Sequence, residues 1–152
     1  MPEVITDIEI PASPDLVWSV LTDLDSYPQW NPVITKLKVK GELRTGAPGT
    51  LVIKIDAGKP KVLPMNYHDV EPGKAFSWTG GVLGDWFLRG LHYFRTEALP
   101  NGGTRLVHGE RFQGLVFILM WPMLKNKVET SYNKMNQAVK NRCEVLAQTG
   151  HK

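Results

Sequence analysis

Polar and apolar residues alternate through most of the chain and then change to a three- and four-residue rhythm in its last third. Near the start, Val4, Thr6, Ile8 and Ile10 alternate with more polar neighbours, the period of a strand with one buried face. Pro11-Ala12 ends that run. Ser13 then offers a capping hydroxyl, Pro14 suits a first helical turn, and Asp15 favours the positive end of the helix dipole. The pattern predicts a helix there, with Val17, Val20, Leu21 and Leu24 inward and Trp18 beside them. Pro28 and Pro32 bracket Gln29-Trp30-Asn31, so a second helical piece is predicted to last only a turn or two.

Alternation then resumes. Val33, Thr35, Leu37 and Val39 oppose Lys36, Lys38 and Lys40, and Leu51, Ile53 and Ile55 oppose Val52, Lys54 and Asp56, with Gly46, Pro48 and Gly49 between the two runs. Gly58, Pro60 and Pro64 predict an irregular stretch before strands over 66–70 and 75–79, joined by the turn Glu71-Pro72-Gly73-Lys74. Gly80, Gly81, Gly84 and Asp85 predict a movable connection, with Trp86 at its edge as a gate. Two last strands, 86–99 and 104–112, are joined by Pro100-Asn101-Gly102. From there Leu124, Val128, Tyr132, Met135, Val139, Cys143 and Leu146 recur at helical spacing. A regular helix is predicted to begin near Pro122 and run about 25 residues, roughly 37 Å.

These elements predict an α+β fold of one domain, residues 1–152: a curved antiparallel sheet of about seven strands on a long C-terminal helix, with two short helices after the first strand. A hydrophobic fraction of 42% and a charged fraction of 22% are those of an ordinary globular protein. The net charge of +3 is modest, and Lys36, Lys38 and Lys40 read as a solvated strand face rather than a nucleic-acid surface. Cys143 is the sole cysteine and the start MPEVITDIEI has no export signal, so a reducing, cytoplasmic location is expected. The uncharged run 112–124 is too short to span a bilayer. Its Leu115, Val116, Phe117, Ile118, Leu119 and Trp121 either touch a membrane surface or begin the helix and enter the core.

The stretches IEIPASPDLVWSVLTDLDSYPQWNP, VEPGKAFSWTGG and LHYFRTEALPNGGTRLVHGERFQG, followed by the terminal helix, resemble the SRPBCC or START-like superfamily. That superfamily has the helix-grip fold of polyketide cyclases, lipid-transfer domains and the birch-pollen-allergen group. The pair A-S-P-x-x-V-W and Y-P-x-W-N-P is similar to a bacterial-type branch labelled polyketide cyclase/dehydrase-like. The resemblance covers essentially the whole chain and implies a cavity between sheet and helix for a hydrophobic or aromatic small molecule, lipid or polyketide-like. Phe76, Trp78, Phe94, Phe112, Leu124, Val128, Tyr132 and Met135 are expected to line it, with Trp86 at its gate. The alternative is that the same residues fill a solid core. In the resemblance the Y-P-x-W-N-P piece closes the cavity end, so Trp30 and Asn31 either meet ligand or plug the base of the grip.

Polar residues on otherwise apolar strand faces are the candidate chemistry. His92 shares a face with Leu88 and Phe94, and His108 and Glu110 share one with Leu106 and Phe112. A type I turn at Pro100-Asn101 with Gly102 left-handed pairs Leu99 with Gly103; counting back sets His92 opposite Glu110 and Phe94 opposite His108. A slip of two residues would instead set Glu110 opposite Phe94. A carboxylate beside an imidazole holds its tautomer and raises its pKa, which makes His92 and Glu110 a candidate catalytic pair or a polar anchor for ligand, with His108 nearby. Alternatively the two only satisfy each other, or Glu110 pairs with Arg89, Arg95 or Arg111.

Three functions follow: a binding protein for a hydrophobic molecule, a cyclase, dehydratase or isomerase using the His-Glu pair, and a membrane-associated lipid carrier. No metal or other cofactor is expected. HExxH, a cysteine cluster and a G-x-S-x-G elbow are absent, GELRTGAPG lacks the lysine-serine ending of a phosphate loop, and His92, His108 and Glu110 are not predicted to converge. Monomer and homodimer are both compatible with the sequence.

Overall fold

A computed structural model describes residues 1–54, 57–82 and 87–150, Val82 by its backbone alone. The elements are β1 (Glu3–Ile10), α1 (Pro14–Thr22), a 3₁₀ turn (Leu24–Ser26), α2 (Tyr27–Trp30), β2 (Ile34–Val39), β3 (Pro48–Ile53), β4 (Lys61–Glu71), β5 (Ala75–Val82), β6 (Leu88–Ala98), β7 (Thr104–Gln113) and α3 (Leu115–Thr149). The strands form one antiparallel sheet in the order β1-β7-β6-β5-β4-β3-β2, the curved seven-stranded sheet of the helix-grip fold. α3 lies across β1 and β7 and meets α1. Ser13 caps α1, its Oγ accepting from the Leu16 amide at 3.2 Å, and Pro14 opens the helix.

Four sequence expectations are corrected. A bulge between Ile34 and Lys36 resets the face of β2, so Ile34 and Leu37 are buried in place of the alternating set that included Thr35. β4 runs unbroken from Lys61, where irregular backbone was predicted from Pro64. The proline is tolerated because pairing with β5 starts only at Met65–Gly80, so its missing donor falls outside that ladder. Leu24 belongs to the 3₁₀ turn and not to α1.

The fourth concerns α3, which begins at Leu115 and contains Pro122. What extends it is aromatic packing: Phe117 and Trp121, one turn apart, meet each other at 5.7 Å and the Phe112 ring at 4.5 and 5.4 Å. Pro122 deprives the Ile118 carbonyl of its helical donor, but Ile118 is on an exposed turn where water can serve it. At 35 residues the helix is about 52 Å long. Ile55, Asp56, Gly84, Asp85, Trp86 and His151 lie outside the described residues.

Candidate functional site

The space between sheet and helix is part filled and part open. Phe76 is the hub of the filled part, with Trp18, Tyr67, Trp78 and Phe94 rings 5.5–6.5 Å from it. Beside it lies a cavity of about 320 Å³. The sheet supplies Leu51, Ile53, Leu63, Trp78, Leu88, His92, Glu110 and Phe112, and α3 supplies Phe117, Leu124, Lys127, Val128, Ser131, Tyr132 and Met135. Down α3 the wall passes from exposed Lys127 through half-buried Val128 to buried Tyr132 and Met135, so the cavity deepens toward the histidines.

The register predicted from the Pro100 turn is the observed one. The Leu99 amide donates to the Gly103 carbonyl at 2.9 Å and Gly102 has φ of 82°, which sets His92 opposite Glu110 and Phe94 opposite His108. Across the other edge of β7, His108 faces Thr6. The His92 and His108 imidazoles meet Nε2 to Nε2 at 2.8 Å. His108 is clasped between the Tyr132 ring at 4.4 Å and the Phe94 ring at 4.4 Å, and His92 stacks on Trp78 at 4.2 Å.

With both imidazoles neutral, the hydrogen bonds order the protons along this chain. The Thr6 hydroxyl donates to the His108 carbonyl at 3.0 Å, so its oxygen must accept from the Asn136 amide nitrogen at 2.8 Å. The Asn136 oxygen, thus oriented, accepts from His108 Nδ1–H at 2.7 Å. A neutral His108 then has a bare Nε2, which accepts from His92 Nε2–H. His92 is left with a bare Nδ1, facing the Tyr132 hydroxyl at 3.2 Å and Glu110 Oε2 at 3.4 Å. The Tyr132 hydroxyl is the nearer donor to that lone pair, and Glu110 beside it has an apolar wall around it, where burial favours the carboxylic acid.

Burial drives the three groups the same way, toward neutrality. Desolvation pushes Glu110 up to about 8 and His92 down to about 3. It holds His108 well below the usual range; the neighbouring His92 adds to this and the Asn136 contact opposes it. The expectation that a carboxylate would raise the imidazole is overturned, because desolvation outweighs a pairing of 3.4 Å that is longer than a good hydrogen bond. The Glu110 side chain retains 18% exposure on the cavity wall, where His92 retains 5%. Room for that carboxyl comes from Gly90, since Glu110 Oε1 lies where a Cβ at position 90 would be. Neither Arg111 nor Arg95 pairs with it: Arg111 bonds Glu3 at 2.9 Å and Arg95 sits over the Tyr93 ring. Glu110, His92 and His108 form a line, and among the described residues no three metal-ligating groups converge.

Of the residues expected around ligand, Trp78, Phe112, Leu124, Val128, Tyr132 and Met135 line the cavity together with His92 and Glu110. Phe76, Phe94 and His108 are buried behind the wall. Asn31 is spent on structure: its side-chain oxygen accepts from the Val33 and Ile34 amides at 2.9 and 2.8 Å. Trp30 packs on Tyr27 at 4.7 Å, away from the described wall. Of the gate expected over residues 80–86, Gly80 and Gly81 are instead paired with β6 inside β5 and line the cavity, and residues 83–86, Trp86 among them, fall outside the described residues. Thr6 and Asn136 were not anticipated, although Asn136 follows Tyr132 by four residues and so lies on the apolar stripe of α3. Gly90, Phe117, Lys127 and Ser131 were also missed as wall residues.

A curved sheet closed on a long helix around an apolar cavity defines a helix-grip protein. The chain belongs to the family described as polyketide cyclase/dehydrase and lipid transport, whose model matches residues 1–144. Solved structures agree in fold. The Zhui aromatase/cyclase of a Streptomyces species is 20% identical over 96% of this chain and 95% of its own, with a TM-score of 0.78. A START superfamily protein from Mycobacterium smegmatis is 22% identical over 95% and 98%, with a TM-score of 0.76. A Thermus thermophilus protein is 16% identical over 95% and 98%, with a TM-score of 0.75. No curated protein matches the chain.

Proposed function

We propose that the protein binds an apolar small molecule, lipid or polyketide-like, in the cavity between sheet and α3. The observation that carries this reading is the cavity of about 320 Å³, with apolar side chains for most of its wall and an uncharged acid at Glu110. That volume lies at the lower end of known ligand sites, of about 300–1,000 Å³. Binding is favoured over catalysis by the His-Glu pair. In the His-Glu pair the base would be His92, which at about 3 and with its Nδ1 turned to Tyr132 and Glu110 is a weak one, while Glu110 is held as an acid suited to donating a hydrogen bond. Native mass spectrometry of gently purified protein, followed by extraction under denaturing conditions, tests the proposal. A co-purifying apolar molecule is expected; protein that is empty and also takes up no apolar fluorescent probe would reject it.

A specific observation favours a carrier that works at a membrane. Leu115, Ile118, Leu119 and Met123 are 68%, 44%, 73% and 82% exposed on one side of α3, while Phe117 and Leu124 on its other side line the cavity. A bilayer on that face would meet the cavity mouth, with Lys125 following for anionic headgroups. Among the described residues no helix is long and apolar enough to cross a membrane, so such contact would be peripheral. Flotation with anionic vesicles tests it, and protein that stays behind would reject it.

A further inference from the structure

We propose that the ligand carries a neutral hydrogen-bond acceptor, a ketone or ester carbonyl, that takes its hydrogen bond from Glu110. The inference rests on the binding role proposed above and names the chemical class bound. It follows from counting protons at the deep end of the cavity. The chain Thr6–Asn136–His108–His92 delivers its last donor to His108 and leaves one acceptor, His92 Nδ1. Two hydroxyl groups face that single lone pair: the Tyr132 phenol at 3.2 Å and the Glu110 carboxylic acid at 3.4 Å. One proton is surplus, and it must be directed into the cavity.

Geometry assigns the surplus to Glu110. Tyr132 is nearer to His92 and is 6% exposed, its ring stacked on His108, whereas the Glu110 side chain retains 18% on the wall. Glu110 Oε1 rests over Gly90 with no hydrogen-bond partner among the described residues, and glycine at 90 holds the wall open beside it. An apolar molecule with no acceptor would bury that donor unsatisfied, and a carboxylate ligand would bring a bare charge into an apolar cavity. A carbonyl oxygen meets both conditions.

The groups facing Glu110 are His92 from β6 and Tyr132 and Lys127 from α3, with His108 preceding it on the same face of β7; β1 presents Val4 at the paired position. Since Glu110 titrates at about 8, carbonyl binding weakens as pH rises past that value.

Two probes of one shape test the proposal: the naphthyl ketone fluorophore Prodan and its analogue with a methylene in place of the carbonyl. At about pH 6.5 the wild type is expected to favour the ketone about tenfold, with the hydrogen-bonded shift in its emission, and to lose the preference at about pH 9. Glu110→Gln, which retains an N–H donor, keeps the preference without the pH dependence; Glu110→Leu abolishes it. Equal affinity of the wild type for both probes at every pH overturns the assignment and leaves the apolar cavity standing. Failure of both probes to bind overturns the binding role, and this inference with it. A ligand-free check covers variants that fold poorly: the wild-type infrared spectrum at neutral pH should contain the C=O stretch of a protonated carboxylic acid, and its absence overturns the proposal.

Discussion

The carboxyl of Glu110 lies directly over Gly90, in space that any side chain at position 90 would claim. Gly90→Ala is therefore expected to push the carboxyl off the wall and to cost about 1–3 kcal/mol through overpacking. Denaturant unfolding measures the second effect. A carbon-13 titration of the Glu110 carboxyl measures the first, with the pKa moving from about 8 toward its ordinary 4.5. A titration identical to wild type would show that the carboxyl does not depend on Gly90.

Stability should peak near pH 6.5. Glu110 holds its proton more tightly folded, at about 8, than unfolded, at 4.5, so its contribution is full below 4.5 and is lost as pH rises through 8. The amount is on the order of 5 kcal/mol for such a shift. His92, held down to about 3 from 6.5, acts oppositely: its contribution is full above 6.5 and is lost as pH falls toward 3, and His108 has the same sign. Unfolding free energies across this range should fall on both sides of the maximum in wild type, while Glu110→Gln should show no fall attributable to this site on the alkaline side.

Asn136 orients the two imidazoles from the far end of the chain. Asn136→Leu removes the acceptor for His108 Nδ1–H and the donor for Thr6, leaving buried polar groups unsatisfied at a cost of about 1–3 kcal/mol each. Nitrogen-15 spectra should report Nδ1–H on His108 and Nε2–H on His92 in wild type, and mixed tautomers in the variant. Unchanged tautomers would mean that Asn136 does not set them.

Met123 tests the membrane surface with little risk to the fold, since its side chain is 82% exposed. Met123→Glu should alter stability by less than about 0.5 kcal/mol. Co-flotation with anionic vesicles should drop severalfold; an undiminished signal would place the contact elsewhere.

The architecture was legible because each element announces itself locally, from the Ser13 cap to the Pro100 turn, and the turn alone sufficed to set His92 against Glu110. What escaped was decided by tertiary contacts. Pro122 looked like a helix start until Phe117 and Trp121 found Phe112. The sense of the pKa shifts escaped for a similar reason: pairing suggests a charged imidazole, and only the stacking of Trp78, Phe94 and Tyr132 around the histidines shows how thoroughly water is removed. Asn31 shows the converse, a polar residue in a suggestive motif that is consumed by two backbone amides.

The pairing of β1 with β7 has a consequence for how the chain comes into being. Thr6 finds His108 across 102 positions, so the strand made first is the one whose partner is made almost last. A sheet edge closed by so distant a contact folds slowly, because a long loop must close before the contact repays it. During synthesis β1 remains unpaired until β7 has left the ribosome, and the Thr6–Asn136–His108 chain that orients the site must be among the final things to form.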